Sequence, residues 1–298
     1  MKPLRLGILT FVTLTAFAAN SLLARAALAS GQMGAAEFSL IRLFSGALML
    51  TGLVILNPDT SKSHAPPQFS AKFSYIWGGA AALCLYAVMF SFAYLELDTG
   101  TGALCLFAAV QLTIIGHAAW KNELSRRDII GSLIAFAGFL VLIGPSIGTP
   151  SARGFILMTI SGIAWGLYTL LGRKAQKPLL HSQKNFIKAT ILALPLMFLM
   201  FPQPHISTPG TLLAITSGAL ASGVGYAIWY SVLPHLKSSL AASLQLLVPI
   251  LAAFMGRLFL DEVLSLRFWI SLVITLGGLW IVTGWKKPET ANRPPSEG

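Results

Sequence analysis

Apolar residues recur along this chain in runs about as long as a bilayer is thick, divided by short polar turns. A helix rises 1.5 Å per residue, so roughly 20 apolar residues cross the hydrocarbon core. Ten runs fit, at 6–26, 38–56, 73–95, 100–120, 128–144, 154–172, 186–201, 211–233, 239–260 and 267–285. Backbone groups in lipid have no water to bond, and helices satisfy them within the segment. Composition agrees, with 55% of the 298 residues hydrophobic and only 10% charged. A soluble domain carries roughly 25% charged residues. The expected fold is an all-α membrane protein.

The net charge of +11 invites a nucleic-acid reading, but the cations sit in short loops between the runs. Sixteen of the 21 Lys and Arg residues collect on one side if the N-terminus is cytoplasmic. Arg25, Arg42, Arg153, Arg257 and Arg267 fall on the other. Positive-inside bias therefore predicts cytoplasmic N- and C-termini in a cell inner (plasma) membrane. Lys2, Arg5 and the Ala-Leu-Ala at 27–29 resemble a cleavable leader. Asn20 and Arg25 interrupt that region, and the run has a counterpart later in the chain, so a spanning helix is expected. Trp77, Trp120, Trp269 and Trp285 fall at predicted span ends, where aromatic anchors belong. Cys84 and Cys105 lie inside apolar runs with no disulfide or metal spacing.

The order of features repeats. Ser239 to Gly284 holds an apolar run with Pro249, the turn Asp261-Glu262, and a second run with Gly277-Gly278. Thr101 to Gly144 holds the same order, with "NELS" (Glu123) where "DEVLS" (Glu262) stands later and Gly138 opposite Gly277. Phe17, Asn20 and Arg25 align with Trp165, Tyr168 and Arg173. The reading is ten transmembrane helices as two five-helix repeats, 1–146 and 147–287, with a disordered cytoplasmic tail at 288–298. An odd number of spans per repeat inverts one half against the other. Inverted-topology repeats mark alternating-access carriers, with the site near the midplane where the halves meet.

These residues, with "WGLYTLLGRKA" in the sixth run, are similar to the EamA branch of the drug/metabolite transporter superfamily. The resemblance covers roughly residues 6–285. It implies an inner-membrane exporter of amino acids, metabolites or amphipathic drugs, with a central cavity lined by spans one, three, four, six, eight and nine. Gln111 departs from the family pattern, standing where proline is frequent, as Pro249 is in the second copy. Substrate choice is not carried by such motifs.

Polar and aromatic residues inside the spans are the candidate substrate-binding residues, because a polar group in lipid normally faces protein or a water-filled cavity. Gln111, Gln245 and Asn20 suit a zwitterionic or polar solute, or else join helices by hydrogen bonds. Tyr86, Phe90 and Tyr94 recur every four residues on one face of span three. Trp165 and Tyr168 share a face in span six. Tyr226, Trp229 and Tyr230 cluster in span eight, and Phe107 lies near Gln111. Rings offer flat apolar walls and attract cations, so an aromatic amino acid or a flat amphipathic cation fits such a lining, and plain packing is the alternative. Pro249 shapes a hinge or simply packs. His117 is a gate or an interfacial residue. Arg25, Glu37 and Arg42 are expected near the outer face, as an external ion pair or gate, or as snorkelling arginines. Glu123 and Glu262 are expected to cap or pair in loops. Gly162 with Gly166, and Gly218 with Ser222, have close-packing spacing.

No Asp, Glu or Lys lies near the middle of a span, so a carboxylate proton relay is not indicated. An intramembrane enzyme needs a nucleophile with its base, and Ser222 has only His235, in a loop, as its nearest histidine. The reading is a secondary transporter exporting small amphipathic metabolites, amino acids first and aromatic ones favoured. A passive channel or lipid-handling protein on the same helices is the alternative. No metal, cofactor or nucleic acid is expected. The partners are a small-molecule substrate and the lipid bilayer, and the chain acts as a monomer or weak homodimer.

Overall fold

The structure is a computed structural model, and it describes residues 2–57, 73–121, 126–143, 151–172, 175, 177–200, 206–232, 235–236, 244–245 and 247–284. Among these residues it is all helix apart from turns and one isolated bridge between Met33 and Ile206. The helices are α1 (Pro3–Ala29), α2 (Ala35–Leu56), α3 (Phe73–Ala93), α4 (Thr99–Trp120), α5 (Arg126–Ile143), α6 (Ala152–Gly172) and α7 (Pro178–Met200). Then come the composite α8 (Thr208–Ile215, Thr216–Val224, Gly225–Val232), α9 (Leu247–Leu260) and α10 (Leu266–Gly284). Among the described residues, five helices are long and apolar enough to cross a membrane, with three shorter apolar stretches beside them. Glu123, Trp285 and the tail from Pro288 lie outside the described residues.

The bundle carries large apolar side chains on its outside and small polar ones within its apolar core. Phe11, Leu48, Leu133, Ile191, Leu258 and Val273 are exposed, whereas Thr13, Ser39, Ser91, Ser161, Ser217, Ser222 and Ser271 are buried. An apolar exterior of this extent suits lipid. The small hydroxyls inside tie helix to helix. Ser39 Oγ donates to Ser91 Oγ (2.8 Å), Ser161 Oγ to Tyr86 O (3.0 Å) and Ser271 Oγ to Gly138 O (2.7 Å). Each is worth about 0.6 kcal/mol in a bilayer. The N-terminal half of α4, Thr99 to Gln111, is enclosed all round apart from Thr101, which puts this helix at the centre of the bundle.

Glycines set how closely the helices approach. A Cβ at Gly162 would meet Ala109 Cβ and Leu106 O at 2.6 Å, and one at Gly166 would meet Thr113 Cβ at 2.8 Å, so this pair seats α6 on α4. A Cβ at Gly218 would overlap Arg42 O and Ser45 Oγ, so α8 lies directly on α2. At the α5–α10 contact the two neighbouring glycines differ. Gly278, not Gly277, is pressed against the partner helix, at Gly131 and Ala135, while Gly277 has open space around it.

The middle of α8, Thr216–Val224, is π-helix, which the sequence reading treated as ordinary helix. In an α-helix, residues five apart point about 140° from each other. The wider i→i+5 turn brings them nearly into line. Ser217 and Ser222 therefore both reach one oxygen, Asn20 Oδ1, at 2.8 and 3.2 Å. The spacing Gly218–Ser222 thus serves two neighbours, the glycine facing α2 and the serine facing α1.

Replacing Gly218 by alanine is expected to force α2 and α8 apart and to destabilise the fold by about 1–3 kcal/mol, the usual range for overpacking. Gly277→Ala, with nothing near its Cβ, is expected to be neutral or to stabilise by up to about 1 kcal/mol through helix propensity. Thermal unfolding of the two variants in detergent checks both.

Candidate functional site

The aromatic residues singled out in three separate spans meet in one column. Tyr94 packs on Phe90 (ring centroids 4.7 Å apart), Phe90 on Tyr86 (5.4 Å) and Tyr86 on Trp165 (4.8 Å). Trp165 then contacts Tyr168 and Tyr226, both at 5.3 Å. Local periodicity explains the first half of the column. Residues 86, 90 and 94 are four apart, and Tyr94 N still bonds Phe90 O (3.1 Å), so one face of α3 and the turn that continues it presents all three rings. The turn from α3 to α6 is made by helix packing, which no spacing encodes.

Below Trp165 a cavity of about 150 Å³ opens, walled by Phe17, Trp165, Tyr168, Tyr226, Trp229 and Gln245. Its rim is Thr169, Gly172, Ala175 and Pro178, at the C-terminus of α6 and the start of α7. Five sequence candidates thus share this cavity. Phe17 joins them, stacked edge-on against Tyr226 (5.7 Å) and Trp229 (6.0 Å). It was missed as a site residue, although its alignment with Trp165 in the repeat was the signal that marked it. Phe107 is buried in the core, and Gln111 is buried on α4 away from this cavity. Asn20 is enclosed between α1 and α8, bonded as above. Tyr230 belongs to α8, but its side chain lies outside what the structure describes. A larger groove of about 490 Å³ runs between α2 and α7. It is lined mostly by aliphatic side chains such as Leu48, Ile187 and Leu194, and its two threonines, Thr51 and Thr190, donate back to Ala47 O and Phe186 O of their own helices, so it suits lipid tails.

The charged residues differ from the expected cluster of Arg25, Glu37 and Arg42. Arg25 turns to α3 and the α9–α10 turn instead. Its Nη1 donates to Tyr94 O (3.1 Å) and Leu95 O (3.3 Å), its Nη2 meets Asp98 Oδ1 (3.3 Å), and its Nε meets Glu262 Oε1 (3.4 Å). Arg42 does not snorkel to the interface. It is 2% exposed and its Nη2 donates to Tyr86 Oη at 2.8 Å. Interhelix packing moved it inward, because Gly218 lets α8 close over its backbone. Glu37 is likewise enclosed, near the start of α2.

Glu262 caps α4. Both carboxylate oxygens accept from Thr99 N (3.0 and 2.9 Å), and Oε1 also accepts from Thr99 Oγ1 (3.0 Å). Asp261, at φ 53°, turns the chain through the left-handed region, which aspartate tolerates. Gly256 leaves room beneath, since a Cβ there would overlap the Glu262 carboxylate. Arg25, Asp98, Thr99 and Glu262 thus lock α1, α3, α4 and the α9–α10 turn together at one end of the bundle. The start of α6 lies at that same end, where Gly154 packs on Leu97 and Arg153 Nη1 pairs with Glu96 Oε1 at 3.4 Å. The cavity rim at Gly172 and Pro178 is therefore at the opposite end.

Burial pushes the Glu262 carboxyl above the usual carboxylate range, and the Thr99 donors and Arg25 offset only part of that. The folded protein thus holds this proton more tightly than the unfolded chain. Its contribution to stability is full at pH below the ordinary carboxylate value and is lost as pH rises through the elevated folded value. Glu262→Gln is expected to flatten this part of the pH dependence. Arg25→Ala is expected to extend the window to higher pH by removing the cation. Melting temperatures in detergent from pH 4 to pH 7, compared with wild type, test both, and identical profiles would contradict the assignment.

A protein-family model described as "EamA-like transporter family" matches residues 152–284. An uncharacterised protein of Pseudomonas aeruginosa is 44% identical over 283 residues, covering 95% of this chain and 96% of its own. A probable amino-acid metabolite efflux pump of Salmonella typhimurium is 25% identical over 226 residues, 69% of this chain and 75% of its own. A solved crystal structure at 16% identity superimposes with a TM-score of 0.65, covering 93% of this chain and 97% of that one, which speaks for the fold alone. With its apolar helical bundle and its match to transporters along most of its length, the chain belongs to the EamA-type branch of the drug/metabolite transporter superfamily and is a multi-pass integral membrane protein of that transporter family.

Proposed function

We propose that this protein is an alternating-access secondary transporter that exports small amphipathic metabolites, amino acids first, with aromatic members favoured. The observation that carries the reading is the aromatic cavity bounded by Trp165, Tyr226 and Gln245, rimmed at one end of the bundle and locked by the Arg25–Glu262 network at the other. A solute path shut at one end is what one state of an alternating-access cycle requires. At about 150 Å³ the cavity is smaller than the roughly 300–1,000 Å³ of typical ligand sites. Substrate entry therefore needs the walls to part, which suits a rocking bundle better than a fixed pore. The name of the Salmonella relative supports amino acids as the class.

Two inverted five-helix repeats, 1–146 and 147–287, complete the reading. Support comes from which helices touch. α2 packs on α7, α4 on α9 and α5 on α10, each on its own counterpart. The pairs α3–α6 and α1–α8 exchange under the same correspondence, as do α4–α6 with α1–α9 and α3–α7 with α2–α8. Gly138 against Thr275 and Gly278 against Ala135 exchange in the same way. Such reciprocity is what a two-fold axis between repeats produces. With both termini cytoplasmic in a cell inner membrane, as the Lys/Arg distribution argues, the Arg25–Glu262 end faces outward and the cavity rim faces the cytoplasm. The chain then loads from inside, acting as a monomer or weak homodimer.

Counterflow in proteoliposomes with a labelled amino-acid panel tests this. Saturable flux of an aromatic member is expected, with Trp165→Ala lowering kcat/KM about tenfold or more, the loss of roughly 1.4 kcal/mol of ring contact. Trp120→Ala, on the exposed face at the end of α4, is expected to leave flux unchanged. Flux that never saturates would point to a channel instead.

A further inference from the structure

Arg42 is a cation enclosed in the bundle with no anion paired to it among the described residues. Its guanidinium lies over two rings of the aromatic column, 5.1 Å from the Tyr86 centroid and 4.6 Å from that of Phe90. One hydrogen bond is satisfied, from Nη2 to Tyr86 Oη, while Nη1 is buried with no partner. The nearest acidic residue in sequence, Glu37 on the same helix, is equally enclosed, yet both its oxygens lack hydrogen-bond partners and it forms no ion pair with Arg42. Ring faces attract a cation but do not neutralise it. An uncompensated guanidinium at this depth is costly, and such residues in membrane bundles normally pair or serve a path. Once Tyr86 Oη is displaced from Nη2, the edge of the fork, Nη1 beside Nη2, has the shape that a carboxylate fills with two parallel hydrogen bonds.

From these observations we infer that Arg42 is the carboxylate-recognition residue of the transporter, so that its substrates are amphipathic carboxylates, α-amino acids among them, and not the flat cations that aromatic walls alone would admit. This rests on the transport reading above. Tyr86 is the link between charge and cavity. Its hydroxyl accepts from Arg42 and its ring stacks on Trp165, which is a cavity wall. A carboxylate taking the place of Tyr86 Oη on the guanidinium leaves the rest of the molecule directed along the rings toward Trp165 and Tyr226. In the present arrangement Tyr86 holds Arg42 back, and parting of α3 from α6 frees it to meet a substrate. An anion there also removes the cost of the enclosed charge, so loading and stabilisation of the bundle coincide.

Thermal stabilisation of the detergent-solubilised wild-type protein by three probes tests the idea: phenylacetate, phenylalanine and phenethylamine, which share a ring and differ in charge. Phenylacetate and phenylalanine are expected to raise the melting temperature and phenethylamine is not. Arg42→Gln is expected to weaken the carboxylates about tenfold or more, the loss of a charged hydrogen-bond pair, and to admit phenethylamine. Arg42→Lys keeps the positive charge without the fork and is expected to lose most of the same affinity. Equal responses of wild type to all three probes, a response to phenethylamine alone, or none at all would overturn the assignment. So would carboxylate binding in Arg42→Lys equal to wild type, which would leave the residue as a brace between α2 and α3. The two readings separate in proteoliposomes. Binding of phenylalanine without flux sinks the carrier and keeps Arg42, whereas saturable flux of amines but not carboxylates keeps the carrier and removes Arg42.

Discussion

Helices in hydrocarbon gain nothing by burying apolar surface against one another, because lipid tails are as apolar as leucine. What holds this bundle is the close approach of backbones at small residues, and the rest of the structure follows from where those residues sit. Gly218 and Ser45 bring α8 onto α2, Gly162 and Gly166 bring α6 onto α4, and Gly278 brings α10 onto α5. Each close contact sets a crossing, and the crossings decide which side chains share an interior. The π segment of α8 belongs to the same economy of space. Its wider turn lets two serines reach Asn20 while the glycine between them stays on α2.

The interior that results is graded along the bundle axis. One end is polar and tied, with Arg25 bridging helix C-terminal carbonyls on one side and the carboxylates of Asp98 and Glu262 on the other. Negative carbonyl ends attract the arginine, and the N–H of Thr99, at the first turn of α4, attracts the glutamate, both as the helix dipole dictates. The middle is a ladder of rings with Arg42 laid across its upper rungs. The other end is a small aromatic cavity with Gln245 and Thr169 among its polar groups. Such a gradient gives an amphipathic molecule one preferred orientation.

Several features were legible in the residues themselves. Run length predicted the helices, and a period of four predicted that Tyr86, Phe90 and Tyr94 share a face. The repeat aligned Phe17 with Trp165, and both prove to wall one cavity. The Gly162–Gly166 pair was readable as close packing, since the spacing alone puts both on one side of α6. Arg42 was not legible. Its distance from the start of its run suggested an interfacial residue, and only the seating of α8 over α2 shows it enclosed. Glu262 was readable as a loop capper, yet the helix it caps begins at Thr99, far away in sequence. Gly278 and Gly277 stand side by side, and which of them faces α5 depends on a rotation about the helix axis that composition does not reveal.

The sequence by itself determined that this chain is a bundle of membrane-length helices carrying aromatic stripes, because bilayer thickness and helical period act on each segment alone. Tertiary structure alone decided that three stripes form one column, that a cavity lies at its foot, and that a lone guanidinium lies across it. Those relations join residues from α1, α2, α3, α6 and α8. They depend on the relative rotation and depth of whole helices, which are set by many small contacts at once and by no single stretch of the chain.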